Sequence, residues 1–312
     1  MANFWAVTQQ VAILFLLMGV GAVARRLRIV RPEGVDSLVN LLVLVVTPCV
    51  IVNSFLRPFD ASMLAGLATA FAVVTFGIVL AIVLSRFLVR HPADDTCRVL
   101  RLAVVFSNAG FMGIPLEQAI LGPEGVFFGS AYIVVFNLFM WTWGVRTMQR
   151  PDGAGWTRRG WKLWINPGTV GIGIGLPLFL LSVPVHESLA VPVRHLANLN
   201  TPLAMVIIGY GLAGARLGKV IQMPVAYLAT FLRLVAYPLM MVGVLWLIRA
   251  HVNRTMALAV VIAASAPVAA MVSMFAVKFN RDVDTSVALV SGTTLMSILT
   301  MPPVIALAMA ML

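Results

Sequence analysis

Ser107-Asn108-Ala109-Gly110-Phe111-Met112-Gly113-Ile114-Pro115 sits inside an otherwise apolar stretch, residues 102–121. Two glycines, a proline and a carboxamide within nine residues work against an undisturbed helix. Proline has no N–H and its ring clashes with the turn before it, and each glycine weakens a helix by about 1 kcal/mol relative to alanine. The reading is a helix broken in mid-course, with a first half ending near Gly110 and a second beginning near Ile114 or Pro115. Proline suits the first turn of that second half, where an N–H would lack a partner in any case. Ser265-Ala266-Pro267 repeats the pattern about midway through the apolar stretch 256–277.

These two stretches belong to a set of ten apolar blocks: 4–24, 35–55, 63–84, 102–121, 126–145, 167–183, 196–213, 225–248, 256–277 and 283–312. Of the 312 residues, 61% are hydrophobic and 11% charged, and the mean hydropathy is +1.00. A soluble domain carries roughly a quarter charged residues. Apolar runs of about 20 residues read as membrane spans. Inside a bilayer the backbone must satisfy its own hydrogen bonds, which leaves helices or closed barrels, and these blocks are too long and too evenly apolar for barrel strands. The expectation is an all-α polytopic membrane protein.

The net charge of +11 is topogenic. Lys and Arg crowd the loops after blocks 1, 3, 5, 7 and 9: Arg25, Arg26, Arg28 and Arg31; Arg86, Arg90, Arg98 and Arg101; Arg146, Arg150, Arg158, Arg159 and Lys162; Arg216 and Lys219; Lys278 and Arg281. The opposite side holds only Arg57, Arg194, Arg249 and Arg254. Seventeen against four, alternating loop by loop, follows the positive-inside rule and puts both termini on the non-cytoplasmic side. Charge distributed this way argues against nucleic-acid binding. Residues 1–10 have no positively charged start, so no cleavable signal is expected. Cys49 and Cys97 have neither ligand spacing nor a disulfide framework and read as free thiols.

The longest polar stretch, 146–165, divides the chain into five-helix halves, residues 1–145 and 166–312. An odd number of spans per half inverts the second, and inverted repeats with interrupted helices are a transporter pattern. Thr47-Pro48 and Thr201-Pro202 recur at equivalent places, as do Pro115 and Pro267. If helices 4 and 9 both break and cross, their half-helix N-termini bring partial positive charge and free N–H donors to mid-membrane, which suits a carboxylate. A plain proline kink is the reading for either proline alone; the matched pair favours the crossing.

Two ionisable residues lie inside the spans. Glu117 is a proton carrier, a cation partner or a snorkelling side chain. Arg233, in helix 8, attracts an anion or neutralises Glu117; snorkelling would have to cover about 15 Å. Gly171, Gly173 and Gly175 lack the preceding strand of a dinucleotide loop and read as packing positions. His91, His186, His195 and His251 lie in loops or at helix ends. Helix 5 carries Asn137 and no acid, which argues against cation antiport. Trp156, Trp161 and Trp164 among Arg158, Arg159 and Lys162 fit an interfacial belt. No nucleophile, base or metal set stands out in the spans, so neither an enzyme nor a cofactor is expected.

The stretch SNAGFMGIPL resembles the Asn-x-Gly-x-x-Gly-x-Pro motif of the auxin efflux carrier family. NPGTVGIGIGLPL, TPLAMVIIGYGLAG, RLVAYPL and SGTTLMSILTMPPV in helices 6, 7, 8 and 10 are similar in order and placement, and the resemblance covers essentially the whole chain. The family often has Asn where this chain has Phe111. The resemblance implies the fold of sodium/proton antiporters and bile acid transporters: scaffold helices 1, 2, 6 and 7, and transport helices 3–5 and 8–10 around a crossing of helices 4 and 9. It implies a homodimer and a substrate site at Asn108, Pro115 and Pro267. With the residues read directly, the candidate set is Ser107, Asn108, Gly110, Gly113, Pro115, Ser265, Pro267 and Arg233, with Glu117 for coupling. The expected function is secondary active transport of a small organic anion across the plasma membrane, such as malonate, malate or an auxin-like weak acid. A passive anion channel and a sodium- or proton-coupled symporter of a bile-acid-like substrate are the alternatives.

Overall fold

A computed structural model describes residues 2–149, 167–214 and 224–312, with side chains from residue 8 onward. Trp156, Trp161, Trp164, Arg150, Arg158, Arg159, Lys162, Arg216 and Lys219 lie outside the described residues. The described chain is helical: α1 (Ala2–Arg26), α2 (Pro32–Phe55), α3 (Ala61–Leu88), α4 (Asp94–Val105), α5 (109–121), α6 (123–148), α7 (Pro167–Leu180), α8 (Glu187–Asn198), α9 (Asn200–Leu212), α10 (Pro224–Leu247), α11 (Arg254–Ser265), α12 (Ala270–Lys278) and α13 (Val283–Met311). The run Ala109–Met148 is two helices because Gly122 between them has φ 68° and ψ −159°. That left-handed value is one glycine tolerates without strain, and Pro123 starts α6 directly after it.

Among the described residues six stretches are long and apolar enough to cross a membrane: Thr8–Arg26, Pro32–Phe55, Ala61–Leu88, Ala109–Met148, Pro224–Leu247 and Val283–Met311. Pro167–Leu180 and Arg254–Ser265 are shorter apolar helices. The protein is membrane-embedded.

Helix starts follow local capping chemistry. The Asp60 carboxylate accepts from the N–H groups of Ser62 (2.7 Å) and Met63 (3.3 Å), Asn253 accepts from Met256 (3.1 Å), and Asp282 accepts from Thr285 (3.1 Å). Each satisfies an otherwise orphan donor. α4 and α8 begin eight and nine residues before the apolar blocks at 102 and 196, with Asp94, Asp95 and Glu187 in their first turns. Acidic residues favour a helix N-terminus, and hydropathy is blind to such polar ends.

Three prolines sit two residues beyond a π-helical turn. Leu42–Val46 precedes Pro48, Ala109–Gly113 precedes Pro115, and Leu232–Ala236 precedes Pro238. In each case the N–H after the turn reaches the carbonyl five residues back: Thr47 to Leu42, Ile114 to Ala109, Tyr237 to Leu232. The extra residue makes room for the proline ring, which would otherwise strike the carbonyl four residues earlier. A fourth π turn, Met140–Gly144, has no proline after it.

Helix packing depends on glycine at two seams. A Cβ on Gly21 would collide with the Val206 carbonyl oxygen, and one on Gly209 with that of Met18, so α1 and α9 touch backbone to backbone. Gly171 and Gly175 of α7 face Pro48, Ile51 and Phe55 of α2, while Gly173 faces open space. Small residues permit such approach in membranes, where apolar side chains gain nothing by leaving lipid.

A polar clasp joins the starts of α4 and α13 to the end of α6. Arg281, 7% exposed, donates to the carbonyls of Met148 (2.8 Å) and Gln149 (2.7 Å) and pairs with Asp95 and Asp94. Thr96 donates to Asp282 at 2.7 Å, and so does Thr285.

Candidate substrate site at the crossing of two broken helices

The chain leaves helical geometry midway through 94–121 and again midway through 254–278. Phe106 and Ala266 are extended after α4 and α11. The two breaks lie against each other as a short antiparallel bridge, Ser107 opposite Val268. Asn108 N–H donates to the Pro267 carbonyl at 2.7 Å, and Ala269 N–H to that of Phe106 at 2.9 Å. Val268 N–H donates to Thr293 Oγ1 of α13 at 3.1 Å. This places the first break at 106–108, earlier than the Gly110–Pro115 expected from the sequence. Residues 109–114 stay helical because the π turn accommodates Pro115. Pro115 and Pro267 are therefore not equivalent: Pro267 lies within its break, Pro115 seven residues beyond Asn108.

Four half-helix ends meet here. At the C-terminal ends, Arg233 donates to the carbonyls of Val104 (3.2 Å), Val105 (3.1 Å) and Ala264. Its guanidinium also lies 4.4 Å from the centre of the Tyr237 ring, and the side chain is fully buried. One cation thus satisfies orphan carbonyls of α4 and α11 and offsets the negative ends of both helix dipoles. This corrects one expectation, since Arg233 does not pair with Glu117; as its distance from the interface implied, it does not snorkel either.

At the N-terminal ends, the N–H groups of Ala109, Gly110 and Phe111 in α5, and of Ala270 and Met271 in α12, have no acceptor among the described residues. Nor does the Asn108 carboxamide have a hydrogen-bond partner there, although Asn108 is only 5% exposed. Ser107 donates to the Tyr132 hydroxyl (3.0 Å), which lies 3.4 Å from that of Tyr237. Ser265 is spent on the Ile262 carbonyl of its own helix. Gly113 lies against Ala263, holding α5 close to α11. Gly110 has only Ile133 near it. The crossing thus brings together Ser107, Asn108, Gly110, Gly113, Ser265, Pro267 and Arg233; Pro115 lies outside it.

Glu117 stands apart. It is 1% exposed, its Oε2 has no hydrogen-bond partner, and its carboxyl occupies the space a Cβ on Gly129 would need. The snorkelling reading is excluded by that burial.

Residues 6–305 match the model of a family described as membrane transport protein, the domain of auxin efflux carriers. The chain belongs to the auxin efflux carrier family. The match spans both broken helices, so the family assignment covers the crossing as well as the surrounding helices. Among curated proteins none matches this carrier.

Four polar residues at or beside the crossing were missed in the carrier's sequence: Tyr132, Tyr237, Thr293 and Asn200. Asn200 is 3% exposed with an unpartnered Nδ2, on α9, which packs against residues 109–113. Tyr132, Tyr237 and Thr293 lie well inside apolar blocks, and polar groups at that depth are costly unless used; Asn200 lies near the start of its block. Depth alone would have marked the first three; their partners, on other helices, are not visible in the sequence.

Proposed function

We propose that the chain crosses the plasma membrane ten times, as two inverted five-helix halves with both termini on the non-cytoplasmic side, and carries a small organic anion by alternating access. Helices α4–α5, α8–α9 and α11–α12 then each form one crossing. Two packing seams support the inversion: α1 runs alongside α9 in the same direction, and α7 alongside α2. These are the pairs a two-fold repeat would exchange. In the proposed motion α1, α2, α7, α8 and α9 form the scaffold and the remaining helices move. The Arg281 clasp ties α4, α6 and α13 of that moving set together.

The observation that carries the reading is the group of unpaired N–H donors at the starts of α5 and α12 beside the unpartnered Asn108 amide. Donors fixed at helix N-termini bind carboxylates, and Arg233 is engaged with the opposite, C-terminal ends and leaves those donors free. Malonate, malate and an auxin-like weak acid all present the required group. A thermal-shift screen of purified protein against dicarboxylates, monocarboxylates and indole acids tests this. One class should stabilise the wild type and leave Asn108→Ala unmoved; equal stabilisation of both would remove the crossing from the proposal.

A second reading, symport with a proton or sodium, draws on the unpartnered Glu117. An ionised carboxylate buried without a counter-charge is very costly, so it must hold a proton or a cation while packed against Gly129. Glu117→Gln should leave counterflow intact and abolish any acceleration of uptake by an imposed proton or sodium gradient. A variant still driven by either gradient would clear Glu117 of that role.

A further inference from the structure

A cavity of about 330 Å³ opens between the end of α2 and the α7–α8 turn, lined by Asn53, Arg57, Ser182, Glu187 and Arg194 among apolar neighbours. We infer that this cavity is a second anion-binding site, an outer vestibule that takes the carboxylate of the transported acid at Arg57 and Arg194; the inference rests on the proposed carrier function and its orientation.

Its chemistry is that of a carboxylate receptor. Arg57 is half-buried and held in place: Nε donates to the Ser54 carbonyl (2.8 Å), Nη1 to Met63 Sδ (3.6 Å), and the guanidinium lies 5.4 Å from the centre of the Phe127 ring. Its Nη2 has no hydrogen bond among the described residues. Arg194 has neither a hydrogen bond nor an ion pair among them. Two forked donors at one cavity suit a planar carboxylate, which accepts hydrogen bonds in pairs. Asn53 adds an amide. Glu187 also lines the cavity and the charge of Glu124 acts on Arg57, so the site would hold an anion through the directed donors of its two guanidinium groups rather than through net charge.

The placement of charge supports a purpose. Positive residues are depleted on the side of the membrane that holds this cavity, where the sequence has only four. Arg249 stacks on Trp246 at 4.8 Å, and Arg254 donates to the Met309 carbonyl at 2.7 Å. Both remaining arginines face the cavity. Arg57 also touches Met63 of α3 and Phe127 of α6, helices of the proposed moving set, so an anion held there sits at the seam along which that set would slide.

Calorimetric titration of the purified full-length protein with malonate, and separately with indole-3-acetate, tests the site. Wild type should bind one of these acids at two sites. Asn108→Ala should keep only the vestibule, and the double variant R57Q/R194Q only the crossing. R194Q, at an exposed position whose loss cannot unfold the chain, should by itself weaken the vestibule phase about tenfold. A single phase that survives R57Q/R194Q unchanged and vanishes in Asn108→Ala overturns the vestibule while sparing the crossing. The reverse pattern sinks the crossing and leaves the vestibule standing. Binding of neither acid to the wild type counts against both sites. Phosphatidylglycerol added to the micelles should leave the vestibule phase in place; its loss would reassign the site to a lipid headgroup and overturn the inference.

Discussion

Arg233 holds the crossing together, and its effect on function follows from that role. It makes contacts 128, 129 and 31 residues away in sequence. Arg233→Gln leaves carbonyls of both half-helix C-termini without a cation, so it should lower stability by about 3 kcal/mol and abolish transport with it. Arg233→Lys keeps the charge without the fork and should fold while transporting poorly. Thermal unfolding and uptake on the same preparations check both; an Arg233→Gln protein as stable as wild type would contradict the structural role. Tyr132→Phe, which removes the acceptor for Ser107, should cost about 1 kcal/mol in the same unfolding measurement. At this scale the sequence was informative about Asn108, because a carboxamide between glycines and a proline in an apolar block has few bland explanations. It marked Arg233 as unusual but could not show its partners, since carbonyls carry no residue signature.

In the proposed mechanism transport depends on the breaks, and prolines serve them unequally. Pro267→Ala should let the α11 helix extend into its break and eliminate uptake. Pro115→Ala removes only the reason for a π turn; the helix should keep its stability to within about 1 kcal/mol. Uptake assays on the two variants separate the cases, and equal loss in both would return Pro115 to the site. The sequence pointed to both interruptions but misplaced the first. Glycine and proline signal a weakened helix without saying whether a π turn absorbs the defect. At the α1–α9 seam, Gly209→Val drives a side chain into the Met18 backbone and should destabilise by about 3 kcal/mol, read as lost thermal stability. The cap of α3 is pH-dependent. The Ser62 hydroxyl and the Ser62 and Met63 N–H groups bond to the Asp60 carboxylate and hold it below its ordinary range. That contribution is complete above the ordinary carboxylate range and disappears as pH falls through the lowered value.

For the whole molecule, composition and loop charge were enough to read an all-helical membrane protein, because lipid imposes its length and polarity rules on every span. Neither the packing of α1 with α9 and α2 with α7 nor the clasp at Arg281 was readable, since both depend on which helices become neighbours. The proposed topology predicts that cysteines placed at Ser182 and at Arg90, in a background lacking Cys49 and Cys97, react with impermeant reagents from opposite sides of the membrane. Labelling of both from one side would contradict it.

In the proposed mechanism a carboxylate is carried through the crossing of α4–α5 with α11–α12. Solute counterflow in proteoliposomes tests it most directly, with malonate, malate and indole-3-acetate each supplied as the labelled external acid. The carrier should show saturable uptake of at least one acid, accelerated by the same unlabelled acid inside, and Asn108→Ala should lose that uptake while remaining inserted. Uptake that never saturates and ignores the internal acid, or that survives Asn108→Ala unchanged, would contradict the account.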